Sequence, residues 1–251
     1  MKKFRILCLA IMILALAAAM SGCSGLPFVE RMERYIEANT PSTPSPTPVA
    51  TPEPVAATPA PDAGAIYSDI LNRYRTAAAA MWDMTQLTDA GLNYMAAYAY
   101  GSDPLNRIGY CRMDYDGDGV EELLIGCCTG DSYTDQIVLE MYTISNGQPV
   151  QVFTSGERDR YYICSDRIIA NDGSSSAYES SSSYYDFTGG ELKFREGVEF
   201  NMTVDKNNPW FYVDASGAKS GMEESAALAI TEAAQAKYIS LAYTPLSQLE
   251  G

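Results

Sequence analysis

The chain contains no histidine among its 251 residues. This absence excludes Ser-His-Asp and Cys-His catalysis, histidine-ligated zinc and an imidazole pH switch. Basic residues are also few, because 17 Lys and Arg stand against 32 Asp and Glu and give a net charge of −15. Nucleic acids and anionic membrane surfaces attract proteins through basic patches, so we expect neither as a partner. An acidic chain without histidine is compatible with cation binding.

Apolar runs long enough to span a membrane are missing as well. The run from Ile6 to Met20 has about 15 residues, whereas a transmembrane helix needs about 20. Three basic residues precede this run, and Ser-Gly-Cys follows it, ending at Cys23. This order is typical of a bacterial lipoprotein signal peptide, with a retained transmembrane anchor as the alternative. The pattern predicts a signal peptide at 1–22, a lipid on Cys23 and anchoring at the extracytoplasmic face of the cell membrane.

Composition divides the rest of the chain into three parts. Residues 23–39 follow the lipid site as a short membrane-proximal segment with helical spacing of apolar residues. Residues 40–62 are rich in proline, threonine and serine, which predicts a disordered linker of polyproline-II character. Residues 63–251 are long enough for one hydrophobic core and are predicted to form a single domain.

Hydrophobic periodicity predicts an α+β fold for this domain. A 3.6-residue period indicates helices at 65–84 and at 88–100, and a Ser220–Glu223 capping box indicates a last helix at 221–238. Between them, β-branched and aromatic runs alternate with turn residues. These runs are 107–113, 122–128, 136–145, 148–154, 160–164, 167–171, 176–187, 191–199 and 209–213, with a further edge strand expected in the tail. We therefore expect a mostly antiparallel β-meander, curved or barrel-like, with two N-terminal helices and one C-terminal helix.

One motif carries recognisable chemistry. Three aspartates alternate before a glycine in the sequence DYDGDGVEE, which begins at Asp114. In calcium loops this spacing makes the first, third and fifth side chains converge, and the backbone carbonyl of the seventh residue adds another oxygen. The predicted ligands of a structural Ca²⁺ are Asp114, Asp116, Asp118, the carbonyl of Val120, and Glu122.

The motif departs from an EF-hand, because Ile125 occupies the twelfth position, where a bidentate glutamate belongs. The acid stands instead at the ninth position, Glu122, and the flanking sequences favour strands rather than helices. The loop therefore resembles the calcium loops between strands in integrin-type β-propeller repeats, over about nine residues. Alternation along a strand predicts that Glu121 faces away from Glu122 and stays exposed. The alternative is a solvated acidic turn without a metal.

Four cysteines remain outside the signal peptide and the lipid site, namely Cys111, Cys127, Cys128 and Cys164. An exported chain permits disulfides, and four cysteines allow three full pairings. Neighbouring strand residues point to opposite faces, so at most one of Cys127 and Cys128 faces Cys111. Buried free thiols and at least one disulfide both remain open.

A serine- and tyrosine-rich stretch begins at Ser174. Its tyrosines Tyr178, Tyr184 and Tyr185 are candidates for a ligand face, since tyrosine rings suit sugars. The alternative is an edge hairpin whose small polar residues discourage pairing with other chains.

Residues 65–246 resemble surface lipoproteins of Gram-positive gut anaerobes. The resemblance is carried by GLNYM at 91–95, DPLNRIGY at 103–110, MDYDGDGVEELLIG at 113–126, NPWFYVD at 208–214 and YTPLSQ at 243–248. It implies a lipid-anchored location and a single folded unit, and it implies no mechanism.

These observations favour a cell-surface lipoprotein with a non-enzymatic binding or structural role and one structural Ca²⁺. Its expected partners are the membrane, through the lipid on Cys23, and an extracellular protein or glycan. Two alternatives remain open. One is a cell-envelope glycan hydrolase or accessory enzyme that uses carboxylates, and the other is a wall component whose only ligand is the metal.

Overall fold

The computed structural model describes residues 62–249. The predicted signal peptide at 1–22, the lipid site at Cys23, the segment at 23–39 and all of the linker except its last residue lie outside the described residues. Asp62 caps the first helix, since its carboxylate accepts a hydrogen bond from the amide of Ala65 at 3.3 Å. The described part of the chain therefore begins with a capped helix directly after the proline-rich stretch of the sequence.

Six α-helices lie within residues 62–249, where the sequence analysis predicted three. They are α1 (Ala63–Ala79), α2 (Met84–Asp89), α3 (Ala96–Ala99), α4 (Pro104–Arg107), α5 (Ser132–Asp135) and α6 (Glu224–Gln235), and a 3₁₀ turn covers Leu246–Gln248. Three of the six are single turns of four residues that join longer elements. Helices in this part of the chain are too short or too polar to cross a membrane.

Several helix boundaries differ from the predictions because local contacts decide them. The helix expected at 65–84 ends at Ala79, and Met81 after it adopts a positive φ of 51°. The single helix expected at 88–100 is broken at Gly91, which adopts a φ of +64°, so it becomes α2 and α3. Asp83 and Gln86 form the capping box of α2, whereas Thr88 lies inside that helix. The predicted box at Ser220 is wrong, because Ser220 pairs with Tyr212 in a strand and α6 begins four residues later.

Eleven strands form one antiparallel, curved and open sheet. They are β1 (Ile108–Met113), β2 (Glu122–Cys127), β3 (Ile137–Ser145), β4 (Gln148–Thr154), β5 (Asp159–Ile163), β6 (Ile168–Ser176), β7 (Glu179–Thr188), β8 (Glu191–Asn201), β9 (Trp210–Val213), β10 (Lys219–Gly221) and β11 (Thr244–Pro245). Their spatial order is β10-β9-β8-β7-β6-β5-β3-β2-β1-β11, and β4 pairs with β3 beside this path. The α+β class and the antiparallel meander are confirmed, and the tail supplies the predicted edge strand beside β1. The three-residue β10 lacks β-branched residues and escaped prediction.

Hydrophobic residues cover both faces of this sheet, so its central strands are buried on both sides. On one face α1 packs Tyr67 and Tyr74 against Leu123 of β2 and its neighbours. On the other face Leu124 belongs to a second cluster with Phe153, which the segment following α6 partly covers. All six residues of β2 are buried, although the strand lies third from one edge of the sheet.

Tyrosine hydroxyls fasten α1 to the sheet. The hydroxyl of Tyr67 donates to the backbone carbonyl of Glu121 at 2.9 Å and lies 3.2 Å from the carbonyl oxygen of Tyr142. Tyr74 donates to the buried carboxylate of Glu140 at 2.5 Å. The first of these contacts fixes the backbone immediately before β2, where the acidic loop enters the sheet.

Glycines in β1 and β2 form a notch for an aromatic ring. Gly109 and Gly126 are cross-strand partners, and the side chain of Tyr243 lies over both. A Cβ atom at Gly126 would overlap the end of the Tyr243 ring. Glycine is therefore required at both positions because the side chain of Tyr243 approaches the backbone closely. Backbone conformation is not the reason, since neither glycine adopts a positive φ.

We expect the substitution Gly126→Ala to lower the free energy of unfolding by about 2 kcal/mol through overpacking. Urea denaturation of the two proteins measures this difference. The same substitution in a Tyr243→Ala background should cost far less, because the ring is then absent. Equal costs in the two backgrounds would show that the ring does not occupy the notch.

Candidate metal centre

The acidic loop connects β1 to β2 at the end of their hairpin. Its two glycines, Gly117 and Gly119, adopt φ angles of +82° and +89°. Residues with a Cβ rarely adopt such angles, so glycine permits the tight curl that the loop requires. The curl brings alternate acidic side chains towards one point.

Three carboxylates meet there, from Asp114, Asp116 and Glu122. One oxygen from each lies within 4.8 Å of the other two. Asp114 is exposed, Asp116 is half-buried and Glu122 is buried, with 1% of its surface exposed. Like charges at this separation repel one another, and a cation placed between them would remove the repulsion.

Glu122 is the first residue of β2 and carries its carboxylate into the protein. One oxygen accepts from the amide of Tyr115 at 2.9 Å, and the other accepts from the hydroxyl of Thr143 at 3.0 Å. Burial is the main cause that raises the pKa of Glu122 to about 7, although these two hydrogen bonds lower it. The negative charges of Asp116 and Asp118 raise it further.

Backbone amides hold the two aspartates in place. The carboxylate of Asp114 accepts from Gly117 at 2.7 Å and from Gly119 at 3.1 Å. The carboxylate of Asp116 accepts from Asp118 at 3.2 Å and, across the fold, from Gly189 at 2.7 Å. The loop is thus held both to itself and to the turn between β7 and β8.

Positive charge is scarce around this group. None of the ion pairs formed within residues 62–249 involves any of the three carboxylates. The guanidinium of Arg167 lies beside Gly117. Its Nη1 atom is 3.6 Å from the position that a Cβ atom would take at Gly117. Ca²⁺ and Mg²⁺ prefer hard oxygen ligands that carry negative charge. The three carboxylates are such ligands, and no basic side chain of the described residues forms an ion pair with them.

Two further predicted ligands lie in the same loop but outside the group of three. The carboxylate of Asp118 is exposed and accepts from the amide of Val120 at 2.8 Å. The carbonyl of Val120 stays a predicted ligand. The expected alternation is confirmed, because Glu122 is buried whereas Glu121 is exposed and lies 3.9 Å from Arg112.

Thr143, Tyr115 and Gly189 are the site residues that the sequence analysis missed. Thr143 and Gly189 lie far along the chain from the loop, and no local pattern connects them to it. Tyr115 stands inside the motif, between two of the aspartates. This alternation was the available signal that its side chain points away from theirs. Its ring is buried beside Phe187, with centroids 6.0 Å apart, and it anchors the loop to the second hydrophobic cluster.

The structure does not bring the three tyrosines of the proposed ligand face together. Tyr178 is exposed at the turn between β6 and β7. Tyr184 is buried in the cluster beneath α1 and α6, and Tyr185 packs against the cluster on the opposite face. Tyr184 and Tyr185 are neighbours in β7, so the pleat directs them to opposite sides.

The four cysteines of the described residues are free thiols. Cys127 and Cys164 are buried in the cluster that α1 covers. Cys128 lies over Gly109 on the other face of the sheet, as the alternation of neighbouring strand residues requires. Burial raises the pKa of all four, to about 12 for Cys127 and Cys164.

Comparisons of the chain with protein-family models, with curated proteins and with solved structures found no match.

We expect Glu122→Gln to weaken Ca²⁺ binding at least tenfold, because it removes the buried charge of the group. Glu121→Gln is the matched control, since it makes the same change at the adjacent exposed residue. Isothermal titration calorimetry with calcium chloride measures both affinities. If the two variants bind Ca²⁺ equally, Glu122 is not a ligand.

Proposed function

We propose that this protein is a lipid-anchored extracytoplasmic domain with a non-enzymatic binding or structural role, in which the loop from Asp114 to Glu122 holds one structural Ca²⁺. The observation that supports the metal is the convergence of three carboxylate oxygens within 4.8 Å, one of them buried at the start of the fully buried strand β2. A divalent cation offsets the repulsion between these groups and the desolvation of Glu122.

Calcium suits the loop better than magnesium. Ca²⁺ takes six to eight oxygens in flexible geometry, whereas Mg²⁺ requires an octahedron and keeps several waters. The loop offers Asp118 and the carbonyl of Val120 in addition to the three converging carboxylates. Extracellular calcium modules bind at roughly 10⁻⁴–10⁻³ M, so millimolar calcium would occupy such a site outside the cell.

The position of the loop favours a structural role for the metal. Glu122 contacts β3 through Thr143, and Asp116 contacts the β7–β8 turn through Gly189. A cation shared by these carboxylates would join the first hairpin to two distant parts of the sheet. This would stabilise the fold by about 0.5–2 kcal/mol at millimolar calcium.

The buried carboxyls favour a non-enzymatic role over glycan hydrolysis. A general acid of a glycosidase needs a raised pKa and must reach the substrate. Burial raises the pKa of Glu140, as it does for Glu122, but Glu140 is enclosed by Tyr74, Tyr142 and Gln151, which all donate hydrogen bonds to it. Burial in the core therefore explains the raised pKa of Glu140, and burial at the end of the acidic loop explains that of Glu122.

The location rests on the amino-terminal sequence. The basic start, the short apolar run and the Ser-Gly-Cys ending at Cys23 support a lipoprotein signal, and the resemblance to Gram-positive surface lipoproteins supports the same location. The chain carries a net charge of −15, so the lipid would supply the membrane affinity without help from a basic patch.

Calcium should raise the melting temperature of the full chain by roughly 2–6 °C relative to the same protein in EGTA. Asp116→Asn should abolish this rise, whereas Asp186→Asn, the same change at an exposed strand residue, should retain it. Differential scanning calorimetry gives the temperatures, and magnesium at equal concentration should produce a smaller shift. A wild-type midpoint that calcium leaves unchanged would overturn the metal proposal.

Cys23→Ser should release the protein from the membrane fraction of a Gram-positive host and abolish its labelling with radioactive palmitate. Cys8→Ser is the matched control, because it makes the same change within the apolar run and should leave both properties intact. Fractionation and autoradiography provide the two measurements. Palmitate incorporation into the Cys23→Ser protein would contradict the lipid assignment.

A further inference from the structure

A cavity of about 540 Å³ lies between the β5–β6 hairpin, the carboxyl end of α6 and the short helix α5. None of its lining residues belongs to the acidic loop. They are Tyr133, Gln136, Glu157, Arg158, Arg160, Tyr162, Asp172, Gly173, Ser174, Gln235 and Tyr238. The set contains three aromatic rings, two guanidinium groups, two carboxylates and two amides, and it contains no aliphatic side chain.

Two arginines in one cavity are unusual for so acidic a chain. Neither Arg158 nor Arg160 forms an ion pair within residues 62–249. The Nε of Arg160 is buried and has no hydrogen-bond partner among these residues. A buried donor without an acceptor costs free energy that a ligand oxygen would recover. The Nη1 group of Arg160 donates to the hydroxyl of Tyr133. The capacity for an anion therefore rests on Arg158 and on the remaining donors of Arg160.

The acids that line the cavity are occupied by other donors. Asp172 faces Arg160 across the hairpin, but its carboxylate accepts from Ser182 at 2.7 Å and from Tyr238 at 3.2 Å. Glu157 accepts from the hydroxyl of Tyr98. These carboxylates lower the positive potential, and neither of them forms an ion pair with Arg158 or Arg160.

The aromatic rings supply a platform and a rigid wall. Tyr133 is 57% exposed, and the guanidinium carbon of Arg160 lies 5.5 Å from the centre of its ring. Tyr162 and Tyr238 stack on each other with centroids 4.3 Å apart and an angle of 11°. An exposed ring beside a guanidinium group offers one surface to the C–H face of a sugar and a bidentate donor to a carboxylate.

We propose that this cavity binds a carboxylated sugar of the uronic acid type, with its carboxylate on Arg160 and Arg158 and its ring on Tyr133. The side-chain amides of Gln136 and Gln235 are the groups available to the sugar hydroxyls. The hydroxyl of Ser174 donates to the backbone carbonyl of Ser176 at 3.0 Å and can only accept from the sugar. A peptide terminus would present a carboxylate as well, but the cavity has no aliphatic wall for its side chains. This assignment goes beyond the structural metal and does not depend on it.

The test titrates the full chain with sodium D-glucuronate and follows binding by calorimetry in the presence of EGTA. D-glucose has a closely similar ring without the carboxylate, and acetate has the carboxylate without the ring. We expect glucuronate to bind at least tenfold more tightly than either. If glucose binds as tightly as glucuronate, the arginines do not recognise the carboxylate. If acetate binds as tightly as glucuronate, or triglycine binds more tightly, the cavity does not recognise a sugar. Absence of glucuronate binding overturns the proposal entirely.

Variants locate the binding at the cavity. Arg160→Gln should weaken glucuronate binding at least tenfold, and Tyr133→Ala should weaken it through loss of the ring. Arg195→Gln is the matched control, because Arg195 is an exposed arginine of β8 that pairs with Asp186 at 3.2 Å. It should change the affinity less than twofold.

Folding of the variants is checked by their melting temperatures. If Arg160→Gln melts well below the control, Arg158→Gln at the exposed neighbouring arginine takes its place with the same expected loss. Equal glucuronate affinity in the folded cavity variants and the Arg195→Gln control would place the binding elsewhere. Because EGTA is present throughout, failure of this proposal is distinguishable from failure of the calcium proposal.

Discussion

The buried carboxylate of Glu122 is the constraint on which the acidic loop depends. It stands at the first position of a strand whose six residues are all buried, so its charge leaves water as the hairpin forms. Hydrogen bonds from Tyr115 and Thr143 compensate part of this cost. The repulsion from the neighbouring aspartates remains. A cation would offset both this repulsion and the cost of burying the Glu122 charge.

The surrounding fold makes such a burial possible. The sheet is covered on both faces, so the hairpin cannot direct the Glu122 side chain into bulk solvent. Tyr67 fixes the backbone just before β2, and Tyr115 inserts its ring into the cluster on the opposite face. These contacts hold the three carboxyl groups of the loop together, which is the preorganisation that a metal site needs.

The molecule separates two kinds of charged site. The acidic group lies at the β1–β2 end of the sheet, and the two arginines line a cavity at the β5–β6 hairpin. The chain carries a net charge of −15, so two arginines that form no ion pair and line one cavity are an exception to its acidic character. The exposed Tyr133 beside Arg160 adds a flat apolar surface, which simple anion binding does not require.

The sequence alone determined every strand except β10, the antiparallel class, and the convergence of Asp114 and Asp116 with Glu122. It could do so because pleat alternation, turn residues and loop glycines are local properties. Nine predicted strands lie within a few residues of those observed. It did not determine the break at Gly91, the partners Thr143 and Gly189, or the separation of Tyr184 from Tyr185 into two cores. Nor did it indicate the cavity at Arg160, whose walls come from α5, the β5–β6 hairpin and the end of α6. These features depend on which distant segments pack against one another, and only the tertiary structure decides that contact.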